Sequence, residues 1–230
     1  MKHFSVITLA ALGVLLVTAP SALAADTLCS TLVGPPTYAN TNFLTINGNL
    51  VVDLPNCELT GGGTVSGNVT VRAGNSLELD HQWVIAGDLK ATNCAFVNLN
   101  DHGPYPPFPP GTTYTTTIGG NVDIDSCSGG LGIYWAFFNQ PGTVIMGNFT
   151  CQNNTVACYL QGATIGGNVT ISNNNYPVPV PIHPYTSISN NIIINNLKCQ
   201  NNSPTPLVGA GTNTVLGNPA ANSEGQCIGF

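Results

Sequence analysis

One five-residue block recurs eight times along this chain, and that repetition restricts it to a stacked architecture. The copies are Ile46-Asn-Gly-Asn-Leu50, Val65-Ser-Gly-Asn-Val69, Ile85-Ala-Gly-Asp-Leu89, Ile118-Gly-Gly-Asn-Val122, Ile145-Met-Gly-Asn-Phe149, Ile165-Gly-Gly-Asn-Val169, Ile193-Ile-Asn-Asn-Leu197 and Val215-Leu-Gly-Asn218. Their starts lie 19, 20, 33, 27, 20, 28 and 22 residues apart. A unit of about 20 residues explains these intervals if three units carry insertions. So short a unit cannot bury an apolar face alone and becomes stable by stacking on its neighbours.

The block has strand chemistry. Its first residue is always Ile or Val, and its fifth is Leu, Val or Phe except for Pro219 in the last copy. Two residues further on stand Val52, Val71, Ala91, Ile124, Cys151, Ile171 and Cys199. Apolar residues at alternate positions mark strands with one buried face. The Gly-Asn between them reads as a bend, because both residues tolerate left-handed backbone angles. Stacking then aligns Asn49, Asn68, Asp88, Asn121, Asn148, Asn168, Asn196 and Asn218 in a column, where amides one strand spacing apart share hydrogen bonds. In the same register Asp53 meets Arg72 and Lys90 meets Asp123, two stacked opposite-charge pairs.

These Thr/Val–Ile/Val–x–Gly–Asn–Val/Leu–x–Val/Ile blocks resemble those of secreted bacterial parallel β-helix proteins. The ending Asn213-Thr-Val-Leu-Gly-Asn218 with Gly225-Gln226-Cys227 resembles the C-terminal closure of such proteins. The resemblance spans about Leu44 to Cys227 and implies an all-β, single-domain parallel β-helix of about seven to eight coils, with insertions on one flank. A coil of about 20 residues without strict hexapeptides implies a right-handed one. The resemblance implies no particular activity.

The N-terminus has the pattern of a secretory signal peptide: Lys2, an apolar run from Val6 to Val17, and Ala22-Leu-Ala24. The run is shorter than the roughly 20 apolar residues that span a bilayer, and no later run is longer. The expected organisation is a signal peptide at 1–24, an N-terminal cap at 25–43, the β-helix at 44–218 and a C-terminal cap at 219–230. Without the signal, Arg72, Lys90 and Lys198 face ten acids, a net charge of −7. Nucleic-acid binding needs cations to displace phosphate counterions, so no nucleic-acid partner is expected. Only 6% of residues are charged, so Asn, Thr, Gly and Ser supply the surface polarity.

Eight cysteines follow the signal, and an even count in an exported chain points to disulfides. Cys94 lies nine residues after Ile85 and Cys127 nine after Ile118. Equal phase in successive coils stacks them within bridging distance. Cys29 with Cys57 would fasten the N-terminal cap, and Cys199 with Cys227 the C-terminal end. Cys151 and Cys158 remain, close enough to close a short loop. Free buried thiols at Cys151 and Cys199 are the alternative.

Three stretches carry extra residues. Asp101–Thr117 contains Tyr105, Phe108 and Tyr114; Gly129–Gly142 contains Tyr134, Trp135, Phe137 and Phe138; Tyr176–Ser187 contains Tyr176, His183 and Tyr185. Counted from the blocks, all three begin at a similar phase, so they are expected to emerge on one flank and gather the aromatics there. Tyr105, Phe108, Tyr134, Trp135, Phe137, Tyr176 and Tyr185 are the candidate binding residues, for a glycan or a cell-surface protein. The alternative is that these rings cover the solenoid and bury one another.

Catalytic signals are sparse. Asp123 and Asp125 lie two apart on one face, but Lys90 stands opposite Asp123, which favours a solvated strand face over an acid–base pair. His81, His102 and His183 lack metal-ligand spacing, no Gly-x-Ser-x-Gly is present, and no metal or cofactor is expected. Three of the five Asn-x-Thr/Ser sequons, at Asn68, Asn148 and Asn168, fall in the ladder and read as architecture. A Thr column (Thr45, Thr64, Thr117, Thr164 and Thr214) evokes an ice plane, but Val84, Val144 and Ile192 interrupt it. The expectation is a secreted or cell-surface, non-catalytic structural or adhesive protein. The other reading is a carbohydrate-binding module or polysaccharide-active enzyme that uses the aromatic flank.

Overall fold

The computed structural model describes residues 25–34, 39–40, 42–99, 115–128, 136–138, 142–176, 186–207, 211–217 and 223–228. Among them the only helical element is the 3-10 turn Cys29–Thr31. Every other element is a strand, and every strand pair is parallel. The strands form three sheets, of nine, seven and eight strands.

Sheet A stacks Thr27–Leu28, Leu50–Val52, Val69–Val71, Leu89–Thr92, Val122–Asp125, Phe149–Gln152, Val169–Ser172, Leu197–Gln200 and Ser223–Gly225. Sheet B stacks Ala39–Asn40, Cys57–Leu59, Ser76–Leu79, Phe96–Leu99, Ala136–Phe138, Cys158–Gln161 and Ser187–Ser189. Sheet C stacks Leu44–Ile46, Gly63–Val65, Trp83–Ile85, Thr117–Ile118, Val144–Ile145, Thr164–Ile165, Ile192–Ile193 and Thr214–Val215. The chain visits A, B and C in rotation, an all-β arrangement consistent with a parallel β-helix.

The first residues of the repeated block form one file. Ile46, Val65, Ile85, Ile118, Ile145, Ile165 and Ile193 are register neighbours in sheet C, and all are buried. The fifth residues, from Leu50 to Leu197, line sheet A and are fully buried. Sheet B contributes Leu59, Leu79, Leu99, Leu160 and Ile188, a file that the sequence repeat does not announce. Each such side chain adds roughly 1.5–3 kcal/mol by leaving water. Trp83 is the largest buried side chain; its indole N–H donates to the Asp80 carbonyl at 2.9 Å. A Cβ at Gly63 would stand 2.8 Å from that ring, so glycine leaves room for it.

The Gly-Asn of the block works differently from the sequence expectation. Of the block glycines from Gly48 to Gly167 only Gly48 has a positive φ, 122°. The others are needed because the Asn side chain of the preceding coil occupies the space of a Cβ: at Gly147 it would meet Asn121 Oδ1 at 2.6 Å and the Gly120 carbonyl oxygen at 2.7 Å. The vacated space lets each Asn carbonyl accept the backbone N–H of the next coil's Asn. Asn68 N–H donates to Asn49 Oδ1 at 2.9 Å, Asp88 to Asn68 at 2.8 Å, Asn121 to Asp88 at 2.6 Å, Asn148 to Asn121 at 2.9 Å and Asn168 to Asn148 at 2.8 Å. Where Asn195 replaces the glycine, the next bond, Asn196 N–H to Asn168 Oδ1, lengthens to 3.3 Å.

A second amide column lies at the corner between sheets A and B. Asn154, Asn174 and Asn202 are buried. Asn154 N–H donates to Asn174 Oδ1 at 3.0 Å, Asn174 N–H to Asn202 Oδ1 at 3.2 Å and Asn202 N–H to Gln226 Oε1 at 2.8 Å. Their Nδ2 groups donate to the carbonyls of Ile124, Cys151 and Ile171. Cys127 N–H donates to Asn154 Oδ1 at 2.7 Å, so Cys94 and Cys127 continue the same column toward the N-terminus. Asn191 and Asn213 form a shorter column between sheets B and C, linked at 3.1 Å.

Four disulfides join Cys29 to Cys57, Cys94 to Cys127, Cys151 to Cys158 and Cys199 to Cys227. The Cys94–Cys127 Cα atoms are 4.4 Å apart, one rung of the stack. No described cysteine is a free thiol, so the free-thiol alternative for Cys151 and Cys199 is set aside. No described helix is long and apolar enough to cross a membrane.

Two substitutions test this frame. Gly147→Ala should lower stability by about 1–3 kcal/mol in chemical denaturation, because its Cβ must displace backbone. Gly34→Ala, with nothing within 4 Å of its added Cβ, should be nearly neutral. Asn174→Ala should cost about 2–4 kcal/mol, because it strands the Asn154 amide and the Cys151 carbonyl in the interior. Equal stability of the two glycine variants, or a neutral Asn174→Ala, would contradict the interlock.

Candidate functional site

The connections between strands decide which faces stay open. From sheet C to sheet A the chain always uses three residues, as in 47–49, 119–121 and 194–196, up to the last copy. The insertions fall elsewhere. The first lies between Leu99 of sheet B and Thr117 of sheet C, while residues 129–135 and 177–185 lie between sheets A and B. The three insertions therefore do not share one corner, while the flank on which their side chains gather lies outside the described residues. Two border one edge of sheet B and one borders the other. Counting from the block misses this because the sheet B strand falls inside the window; Ala136–Phe138 is such a strand within the second insertion.

Of the candidate aromatic residues, Tyr105, Phe108, Tyr134, Trp135 and Tyr185 lie outside the described residues, as do His102 and His183. Phe137 occupies the rung of sheet B between Asn98 and Tyr159. Tyr176 is half-buried, and its N–H donates to the Ser203 carbonyl at 2.8 Å. Glu58, Glu78, Asn98, Phe137, Tyr159 and Ser187 share one register column. Asn98 Nδ2 donates to Glu78 Oε1 at 3.0 Å. Phe96 and Tyr159 are buried without belonging to the core cluster between the sheets. Sheet B is thus a covered face at these rungs.

Sheets A and C both carry exposed outward side chains, Val84 and Ile192 of sheet C among them, and the more polar of the two faces is that of sheet A. Its polar side chains form four columns, and three consecutive coils present them most regularly: Asn148, Thr150, Gln152 and Asn153; Asn168, Thr170, the buried Ser172 and Asn173; Asn196, Lys198, Gln200 and Asn201. The outer columns are tied together. Asn168 Nδ2 donates to Asn148 Oδ1 and Asn196 Nδ2 to Asn168 Oδ1, both at 3.2 Å. On the other side Asn173 Nδ2 donates to Asn153 Oδ1 at 3.3 Å and Asn201 Nδ2 to Asn173 Oδ1 at 3.1 Å. In the middle columns the Thr150, Thr170, Gln152 and Gln200 side chains make no hydrogen bond among the described residues. Asn148, Thr150, Asn168, Thr170, Asn196, Lys198 and Glu224 line a shallow groove of about 380 Å³.

Charges on this face are compensated along the stack. Lys198 Nζ lies 3.5 Å from Glu224 Oε2. Lys90 and Asp123 are register partners. Asp125 Oδ1 accepts from Asn153 Nδ2 at 2.7 Å and from Ser126 Oγ at 3.2 Å. Burial pushes the Asp123 carboxyl above the ordinary carboxylate value; Lys90 opposes that shift and Asp125 adds to it. Burial also pushes Asp53 up, but the Ser30 hydroxyl and N–H bonds, with a smaller part from Arg72, outweigh it and leave its pKa lowered. Among the described residues no three His, Cys, Asp or Glu side chains are grouped to hold a metal ion. The sequence reading chose the aromatics and passed over this array; its signal was Asn-x-Thr-x-Gln/Ser-Asn, present at Asn148 and Asn168 and nearly so at Asn196.

No protein-family model, curated protein or solved structure matches this chain.

Folding raises the Asp123 pKa, so the native state holds that proton more tightly. Its contribution to stability is greatest below the ordinary value of 3.8 and falls as pH rises through the raised native value. Asp123→Asn should therefore gain stability over the parent at neutral pH, by less than about 1 kcal/mol at this half-buried site, and lose that advantage in acid. Urea unfolding at both pH values checks this; an advantage that is absent, or equal in acid, contradicts the assignment.

Proposed function

We propose that this is a secreted or cell-surface, non-catalytic structural protein that adheres to glycan through a face of its solenoid. We read the solenoid as a right-handed parallel β-helix of about seven to eight coils, the hand that crossovers between parallel strands take almost without exception. The observation that carries the adhesive role is the polar outer face of sheet A, where amide and hydroxyl groups recur on successive coils and the corner with sheet C carries no insertion. Such a face can hold an extended partner by many weak bonds. Export is supported by the signal-like start of the chain and by four disulfides, which persist in oxidising compartments.

A second reading, a carbohydrate-binding module or polysaccharide-active enzyme built on the aromatic insertions, rests on the aromatic content of those insertions in the sequence. A glycan array on the chain lacking its first 24 residues, paired with a reducing-sugar assay on every glycan retained, separates non-catalytic adhesion from a polysaccharide-active enzyme. Retention without release of reducing ends is the expected result. Release that scales with protein concentration would overturn the non-catalytic reading, and retention of nothing would overturn adhesion to glycan.

A further inference from the structure

We propose that the sheet A array formed by residues 148–153, 168–173 and 196–201 binds a linear, uncharged polysaccharide whose chain runs parallel to the solenoid axis. This rests on the adhesive reading above and adds the site, the ligand class and the orientation.

The orientation follows from the period of the groups. Along the axis similar groups recur: Thr150 pairs with Thr170 and Thr170 with Lys198, Gln152 and Gln200 flank the buried Ser172, and the flanking asparagines continue on both sides. Across the strands the groups differ at each step. A polymer of identical units meets identical partners only if it lies along the repeat, where each further unit adds a bond within one binding event. The three-residue corner between sheets C and A carries no insertion along this path, and residues 177–185 leave from the opposite edge, after Val169–Ser172.

The ligand class follows from the charges and from the hydrogen-bonding state of the array. Lys198 is held by Glu224 at 3.5 Å, so neither a polyanion nor a polycation finds an unpaired row of opposite charge. The flanking asparagines are fixed by their neighbours, while the hydroxyls of Thr150 and Thr170 and the amides of Gln152 and Gln200 have no partner among the described residues. A rigid frame around open donors and acceptors is preorganised for hydroxyl-rich ligands. Sugar hydroxyls both donate and accept, matching groups that do the same.

The test compares the parent chain with Thr150→Val/Thr170→Val and with Thr45→Val/Thr64→Val, which makes the same change on sheet C. Valine keeps the shape and strand preference of threonine, so both variants should retain the circular dichroism and melting behaviour of the parent. Binding of the best neutral array hit is measured for all three at low and high salt. We expect the sheet A variant to lose roughly tenfold or more in affinity, the sheet C variant to match the parent, and salt to change neither outcome. Undiminished binding by the sheet A variant would overturn this site and leave the adhesive reading standing. Retention of acidic glycans only, with steep salt dependence, would overturn the ligand class, and no retention by the parent would overturn the site and the reading together.

Discussion

Each coil is fastened to the next where a side-chain carbonyl reaches across a glycine. The asparagine at the corner between sheets C and A accepts the backbone N–H of its counterpart one coil on, at 2.6–2.9 Å over the first six rungs. The glycine before each of Asn68, Asp88, Asn121, Asn148 and Asn168 leaves the space in which a Cβ would collide with that side-chain oxygen. The two residues are a single device, a bond and the space for it. It holds adjacent coils in register at one corner. Variation in coil length is thereby directed to the other two corners, which both border sheet B.

The corner between sheets A and B shows that an amide column and a disulfide can occupy the same track. Asn154, Asn174, Asn202 and Gln226 follow one another by hydrogen bonds, while Cys94 and Cys127 fill the two preceding positions by a covalent bond. The bridge stands where the chain is about to make its long excursions, after Leu99 and after Ser128. Longer connections carry a larger closure entropy, and a crosslink that restrains the unfolded chain offsets it. The Cys29–Cys57 and Cys199–Cys227 bridges serve the two ends, where a stack has a neighbour on one side only.

The same regularity shapes the surface. On the outer side of sheet A asparagines recur at both ends of successive strands, and the columns between them vary in residue type but stay polar. Few residues there are charged: Lys90 meets Asp123 and Lys198 meets Glu224 one rung away, while Asp125 accepts hydrogen bonds from Asn153 and Ser126. The result is a long face whose contacts are hydrogen bonds, weakly sensitive to salt, suited to repeated rather than single strong contacts. Sheet B, bordered by the insertions and covered at Phe96 and Tyr159, offers a different kind of surface.

The sequence by itself determined the all-β class, the repeat, the inward file from Ile46 to Ile193, the asparagine column from Asn49 to Asn196, and the rungs on which Lys90 meets Asp123 and Cys94 meets Cys127. These follow from residue type at a fixed phase, and parallel stacking converts equal phase into contact. The tertiary structure alone decided the file through Leu59 and Leu160, the buried column through Asn174, the role of the glycines and the corners from which the insertions leave. Sheet B has no five-residue signature, because its strands sit at variable distances from the block. Asn154, Asn174 and Asn202 look like loop residues in the sequence; only closure of the coil shows that they face inward and must pair. A glycine read one residue at a time signals backbone freedom, whereas here its cause is a side chain about 20 residues earlier in the chain, visible only once the coils are stacked.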